Sequence, residues 1–145
     1  MSSKQLVTNL AKEFRPSLEG KKVLITGGAG FLGSWLVEVA TYAGADVTCL
    51  DNLCTGKIEN IKNLRVETII SDVEDATFSK SWDYVFHFAS RASPEEYQKH
   101  PVETLKANSI GTLKMLELAK NSHSTFILAS TSEIYGEPKI ELLKM

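Results

Sequence analysis

Four of the seven positions from Gly27 to Gly33 are glycine, in the stretch ITGGAGFLGSW (Ile25 to Trp35). It matches Gly-x-Gly-x-x-Gly at Gly28, Gly30 and Gly33, and Gly-x-x-Gly-x-x-Gly at Gly27, Gly30 and Gly33. Glycines so spaced can form a plain flexible turn, but these lie directly between a short apolar run and a helical pattern. At such a corner, bare backbone lets the chain turn tightly, approach a pyrophosphate and pack a helix closely against a strand. The helix N-terminus, with free N–H groups and the positive end of its dipole, then suits an anion. Asp51 comes 24 residues after Gly27, at the end of the next apolar run. That is near the ~20-residue offset of an acid that binds the ribose of a dinucleotide. A carboxylate there accepts from the 2′- and 3′-hydroxyls and repels a 2′-phosphate, so NAD is expected rather than NADP. Asp72 closes a third apolar run and is expected on the adenine side.

These residues need elements to hold them. Lys22 to Thr26 (KVLIT) reads as a short buried strand, and Asp46 to Leu50 as a second. Between them, Phe31 to Gly44 has apolar residues at 32, 35, 36, 39, 40 and 43, a helical spacing stopped by Gly44. Arg65 to Asp72, Asp83 to Ser90 and Ser124 to Ser130 read as third, fourth and fifth strands, and IENIKNL as one or two helical turns. The longest helical pattern, Pro101 to Lys120, begins on proline and carries two apolar stripes. Val102, Leu105, Leu113 and Leu116 fall on one side, and Ala107, Met115, Leu118 and Ala119 on the other, so one face is expected on a sheet and one on another helix. MSSKQLVTNLAKEF reads as an amphipathic leading helix, with a turn at Pro16 to Gly20. Strands alternating with helices or long crossovers imply an α/β fold, a doubly wound parallel sheet of strand order 3-2-1-4-5, with a crevice at the reversal between strands 1 and 4. The expected division is residues 1–20 as leading helix and turn, and 21–145 as a dinucleotide-binding domain.

Bulk properties bound the function. A chain of 145 residues, 43% hydrophobic, has the size of one domain. Its 16 Lys+Arg against 18 Asp+Glu give a net charge of −2. There is no basic field to hold a nucleic acid, so any phosphate must be gripped locally. No apolar run approaches the ~20 residues that span a bilayer, so no membrane partner is expected. Cys49 and Cys54 have no histidine placed to complete a metal site and no secretory leader ahead of them. The expectation is a reduced, cytoplasmic protein without a metal.

Five blocks in order, TGGAGFLGS, DNLCTG, FHFAS, TLKANSIGT and ASTSEIYG, resemble the extended short-chain dehydrogenase/reductase family that modifies nucleotide sugars, over about Lys22 to Pro138. ASRASPEEY and TSE are more similar to its UDP-glucuronate decarboxylase branch than to its 4-epimerases or 4,6-dehydratases, which remain alternatives. The resemblance implies a Rossmann fold, NAD as cofactor and a UDP-sugar as substrate. It implies that Gly27, Gly30, Phe31 and Leu32 hold the pyrophosphate, and that Asp51, Asn52, Cys54 and Thr55 surround the adenosine ribose. Asp72 and Val73 would flank the adenine, and Phe88, Ala89 and Ser90 would line the cofactor beyond strand 4. Lys106 would reach the nicotinamide ribose region, Asn108 would be a hydrogen-bonding residue of the long helix, and Tyr97 would meet the sugar.

For catalysis, the resemblance implies Thr131 or Ser132 as the hydroxyl that relays a proton while sugar C4 is oxidised, and Glu133 as the acid associated with decarboxylation. It also implies a helical Tyr-x-x-x-Lys pair well beyond Thr131, past the final Met145. A literal match at Tyr135 to Lys139 contains Gly136 and Pro138, which break the helix that would bring the pair onto one face. The chain is therefore expected to be the NAD-binding half of a nucleotide-sugar-modifying enzyme without turnover alone, or a non-catalytic dinucleotide-binding fragment. Self-association is expected through the 101–120 helix, at Met115 and Leu118.

Overall fold

Strand β1 (Lys22–Thr26) is apolar or β-branched throughout its interior because both of its faces are covered: Val23, Leu24, Ile25 and Thr26 are fully buried. In the structure, a computed structural model that describes residues 2–136, β1 lies between β2 (Asp46–Asp51) and β4 (Tyr84–His87). β3 (Glu67–Ile70) and β5 (Thr125–Leu128) form the edges, and all pairings are parallel in the order β3-β2-β1-β4-β5. This is the order the sequence predicts, with the reversal between β1 and β4. Register brings the tips together, since Thr26 stands opposite Leu50 on one side and His87 on the other. β3, β4 and β5 are each shorter than their apolar runs, so polar residues at their carboxyl ends leave the ladder and are free to line the crevice.

Each face of the sheet has its own core. On one, helix α2 (Phe31–Tyr42) packs Val37 and Ala40 against Val23, Ile25, Val47 and Cys49. Helix α1 (Ser3–Leu18) adds Ala11 and Leu18 to the same cluster. Ser2 caps α1 by accepting from the Gln5 N–H at 3.3 Å. The helix runs through Pro16, where the sequence suggested a turn; one more turn of helix carries Leu18 into the core, and the chain reverses instead at Gly20, whose φ is +71°. No helix among the described residues is long and apolar enough to cross a membrane.

On the other face, Leu24, Leu50 and Val85 meet Met115 and Ala119. The single helix expected over 101–120 is α4 (Pro101–Lys106), a π-helical turn (Ala107–Gly111) and α5 (Thr112–Ser122), preceded by a short α3 (Pro94–Lys99) that periodicity did not suggest. The wider turn brings Gly111 so close to the chain after β3 that a Cβ there would collide with the Val73 side chain. Of the two stripes, the one bearing Met115 and Ala119 is buried, while Val102, Leu105, Leu113 and Leu116 are exposed. This corrects the expected self-association surface: Met115 is a core residue with no free face, and Leu118 is half-buried beside it.

The two stripes should separate in stability. Met115→Ala is expected to cost about 2–5 kcal/mol in urea unfolding, and Leu116→Ala no more than about 0.5 kcal/mol; equal losses would contradict the assignment.

Candidate functional site

Gly27 extends the β1–β2 ladder by donating to the Leu50 carbonyl at 2.8 Å, then leaves it with φ +68°. A Cβ at this position would stand 2.7 Å from the Phe88 carbonyl oxygen, so only glycine lets the corner nest against the chain leaving β4. Gly30 donates to the Gly27 carbonyl at 3.1 Å, and α2 then begins with Ser34 donating to Gly30 at 3.0 Å. Gly33 holds helix to turn, because a Cβ there would collide with the Gly27 carbonyl oxygen. Gly30 differs from these: the one close neighbour of a Cβ would be Gly27 O at 3.2 Å, and the rest is open space. Gly30 is also the N-cap of α2, with no side-chain cap, and the next residues, Phe31 and Leu32, stand 80% and 63% exposed. An uncapped helix start with open space over the bare Cα of Gly30 leaves room for a diphosphate to approach the backbone.

Asp51, at the tip of β2, is 7% exposed and already busy. Its Oδ2 accepts the Ala29 N–H at 2.9 Å and its Oδ1 the Leu53 N–H at 2.8 Å. Gly56 covers it, since a Cβ there would come 2.8 Å from Oδ1. The Ala29 carbonyl accepts from the Lys57 N–H at 3.0 Å and Asn60 Nδ2 at 2.8 Å. The glycine turn, the β2 tip and the loop to residue 60 are thus one hydrogen-bonded unit centred on Ala29. An ionised carboxylate has about four acceptor sites; Asp51 spends two on backbone, leaving the capacity a vicinal diol needs. Its charge, after burial, also helps push the Cys49 thiol up to about 12, against a weaker opposing hydrogen bond from Gly28, so that thiol is inert.

Along the rim, Asn52 Nδ2 donates to Asp72 Oδ1 at 2.6 Å while Asn52 Oδ1 accepts the Cys54 N–H at 3.0 Å, tying the β2 and β3 tips together. Cys54, Thr55 and Asp72 are exposed there. Val73 is different: its side chain is buried in the second core against Gly111.

The opposite wall follows β4. Phe88 and Ala89 are half-buried; Ala89 donates its N–H to Thr26 Oγ1 at 3.1 Å, and Phe88 divides its N–H between the Thr26 carbonyl at 3.1 Å and Oγ1 at 3.2 Å; Ser90 is exposed. Thr26 Oγ1 lies 2.7 Å from His87 Nδ1, and His87 Nε2 lies 3.0 Å from Thr112 Oγ1. Burial pulls the His87 pKa down from 6.5 to about 4.

The residues at 27–32, 51–55, 72 and 88–90 therefore share the carboxyl edge of the sheet. Lys106 is exposed at the end of α4, Asn108 is exposed in the π turn, and Tyr97 is exposed on α3. Thr131 is exposed beyond β5; the side chains of Ser132 and Glu133, like Lys139, lie outside the described residues. Tyr135 closes a 3₁₀ turn (Ser132–Tyr135), and φ of +75° at Gly136 prevents that turn from continuing as a helix. Sequence reasoning passed over Ala29, Gly56 and Asn60, and the set Thr26, His87 and Thr112. The available signal for the second set was a threonine and a histidine inside otherwise apolar strands.

Comparison with known proteins agrees with this geometry. The sequence profile described as the NAD dependent epimerase/dehydratase family matches residues 23–143. The chain is 42% identical over 132 residues to UDP-glucuronic acid decarboxylase 1 of Danio rerio, covering 88% of this chain and 31% of that protein, so it spans about a third of the relative's length. In structure it is similar to the UDP-N-acetylglucosamine 4-epimerase of Methanobrevibacter ruminantium in complex with UDP-N-acetylmuramic acid (TM-score 0.75, 35% identity, 84% of this chain and 41% of that one). It is also similar to the Bordetella bronchiseptica enzyme WbmF in complex with NAD+ and UDP (TM-score 0.69, 28% identity, 77% and 36%).

Asp51→Ala leaves the buried Ala29 N–H without its charged acceptor and is expected to cost about 1.5–3 kcal/mol in urea unfolding; an unchanged midpoint would show that the clamp is idle. His87 gives a pH signature. It stays neutral when folded but takes a proton below about 6.5 when unfolded, so stability complete above that pH falls as pH drops toward about 4. The loss is at most about 3 kcal/mol. Glu67, held low chiefly by Lys80, and Asp83, held low chiefly by the Lys22 N–H, add losses only in the more acidic carboxylate range. Urea midpoints compared near neutrality and near pH ~5 should differ, and a flat profile would count against a buried neutral ring.

Proposed function

Because the chain belongs to the NAD dependent epimerase/dehydratase family, we propose that it is the NAD-binding part of a nucleotide-sugar-modifying enzyme, with UDP-glucuronate decarboxylation as its activity. The observation that carries the reading is the uncapped start of α2 opening on the bare Cα of Gly30, beside a carboxylate with acceptor capacity in reserve. Gly27, Gly30, Phe31 and Leu32 hold the pyrophosphate through the opening N–H groups of α2. Asp51 accepts the adenosine ribose hydroxyls and disfavours a 2′-phosphate by charge repulsion, so NAD is bound in preference to NADP. Asn52, Cys54, Thr55 and Asp72, with Val73 contributing its backbone alone, form the adenosine rim. Phe88, Ala89 and Ser90 form the other wall, with Lys106 toward the nicotinamide ribose.

Bound NAD supplies a reversible hydride acceptor for sugar C4. Toward the sugar, Thr131 or Ser132 holds the proton at the 4-hydroxyl, and Glu133 is the acid on the carboxylate side. The identity of 42% with a UDP-glucuronic acid decarboxylase favours that substrate. The likeness to a UDP-N-acetylglucosamine 4-epimerase supports a second reading, 4-epimerisation. The 145 residues contain no helical Tyr-x-x-x-Lys among those described, so this polypeptide is expected to bind cofactor without turnover by itself. Residues 21–145 act as the binding domain, and the exposed stripe Val102, Leu105, Leu113 and Leu116 replaces Met115 as the candidate surface for self-association.

Calorimetry is expected to detect NAD and to find NADP at least about tenfold weaker, a difference of roughly 1.4 kcal/mol. Gly30→Ala should keep the urea midpoint within about 0.5 kcal/mol of the parent while weakening NAD by about tenfold or more. Folded protein giving no heat with NAD would overturn the reading. Incubation with NAD and UDP-glucuronate or UDP-glucose should yield neither carbon dioxide nor epimer, and clear turnover would overturn the expectation of inactivity.

A further inference from the structure

His87 makes no contact assigned to cofactor or sugar, yet it sits 2% exposed at the centre of a polar chain that joins three elements. Thr26 belongs to β1, His87 to β4, and Thr112 opens α5 directly after the π turn. We propose that His87, as the Nε2–H tautomer, is a positioning residue that latches the Phe88–Ala89 wall of the crevice and ties it to the helix carrying Lys106; this rests on the reading of that crevice as a dinucleotide site.

The proton directions follow from counting. Thr26 Oγ1 receives two backbone N–H groups, from Ala89 at 3.1 Å and from Phe88 at 3.2 Å; Phe88 shares its N–H with the Thr26 carbonyl at 3.1 Å, so Ala89 is the amide that depends on the hydroxyl. A hydroxyl oxygen has two lone pairs and one proton, so both lone pairs are engaged and the proton goes to the remaining neighbour, His87 Nδ1 at 2.7 Å. Nδ1 is therefore an acceptor and carries no hydrogen. The ring proton sits on Nε2 and is donated to Thr112 Oγ1 at 3.0 Å. The lowered basicity of the buried ring agrees with this neutral form.

A hydrogen on Nδ1 would present Thr26 Oγ1 with a third donor and release the Ala89 N–H, whereas Phe88 keeps its bond to the Thr26 carbonyl. The position of that N–H matters, because its own peptide unit carries the Phe88 carbonyl that Gly27 packs against, 2.7 Å from where a Cβ would stand. Losing the latch would loosen the gap between the glycine corner and the opposite wall, which is the width available to a dinucleotide. Thr26 thus converts a ring tautomer into a backbone position at the crevice.

Nitrogen NMR of imidazole-labelled chain tests the tautomer directly, with Nδ1 unprotonated and Nε2 protonated at neutral pH; the reverse pattern would overturn the proposal without any variant. His87→Asn keeps an amide oxygen where Nδ1 stood, whereas His87→Leu and Thr26→Val lack the acceptor and the relay hydroxyl. Ala89 amide exchange should quicken about fivefold or more in His87→Leu and Thr26→Val and return most of the way in His87→Asn, while Phe88, held by the Thr26 carbonyl, changes less. NAD affinity should fall and recover in the same order. Exchange and affinity unchanged in the Leu variant, or Asn no better than Leu, would overturn the latch. Absence of NAD binding by the parent chain would sink the reading of the crevice, while tautomer and exchange rates would still decide the latch.

Discussion

The hydrogen bond from the Ala29 N–H to Asp51 Oδ2, 2.9 Å long and buried, is the constraint on which the rest of the crevice depends. It spans the gap between two neighbouring strand tips and fixes the glycine turn relative to β2. The Ala29 carbonyl, held by Lys57 and Asn60, adds the following loop to the same unit. A charged acceptor suits this position, because a buried N–H without a partner is costly and hydrogen bonds to ions are the stronger kind. Asp51 therefore has two duties. It shapes the cradle with half its acceptor sites and keeps the others for a ligand's hydroxyls, so the side chain that selects the ligand also builds the seat.

The opposite wall obeys a different constraint. The ladder between β1 and β4 ends with the Phe88 N–H on the Thr26 carbonyl, so the Ala89 N–H needs another acceptor, and the Thr26 hydroxyl takes it together with a share of the Phe88 N–H. That leaves the hydroxyl proton directed at a buried imidazole, and the imidazole directed at Thr112. A polar thread through an apolar sheet is favourable only when every member is satisfied. Here each member is, which is why histidine can occupy a strand position otherwise given to aliphatic or aromatic residues. The thread also ends where the long helix changes pitch. The π turn with Gly111 against Val73 sets how α4 and its Lys106 continue from α5.

Membership of the family fits both constraints, since the matched residues 23–143 contain the whole crevice. The chain covers about a third of the length of the Danio rerio decarboxylase it resembles. The exposed apolar stripe of α4 and α5 is read in that light: the sheet-facing stripe is complete within these residues, and the outward one has no counterpart among them.

Sequence by itself determined the strands and their order. The glycine spacing, the apolar runs ending in Asp51 and Asp72 and the helical periodicity after Phe31 are local signals, and with the handedness of parallel crossovers they lead to β3-β2-β1-β4-β5. The cradle at Gly30 was legible for the same reason, since a turn that demands bare backbone announces itself in composition. Which stripe of the long helix faces the sheet was not legible, because both are apolar and a π turn shifts their phase. The Ala29 clamp, the Gly56 cover and the Thr26–His87–Thr112 thread belong to tertiary structure alone. Their partners stand 22 to 61 positions apart in the cases of Ala29 with Asp51 and Thr26 with His87. A hydrogen bond between distant residues leaves no periodicity; it exists only once parallel pairing has brought the strand tips within 3 Å of one another.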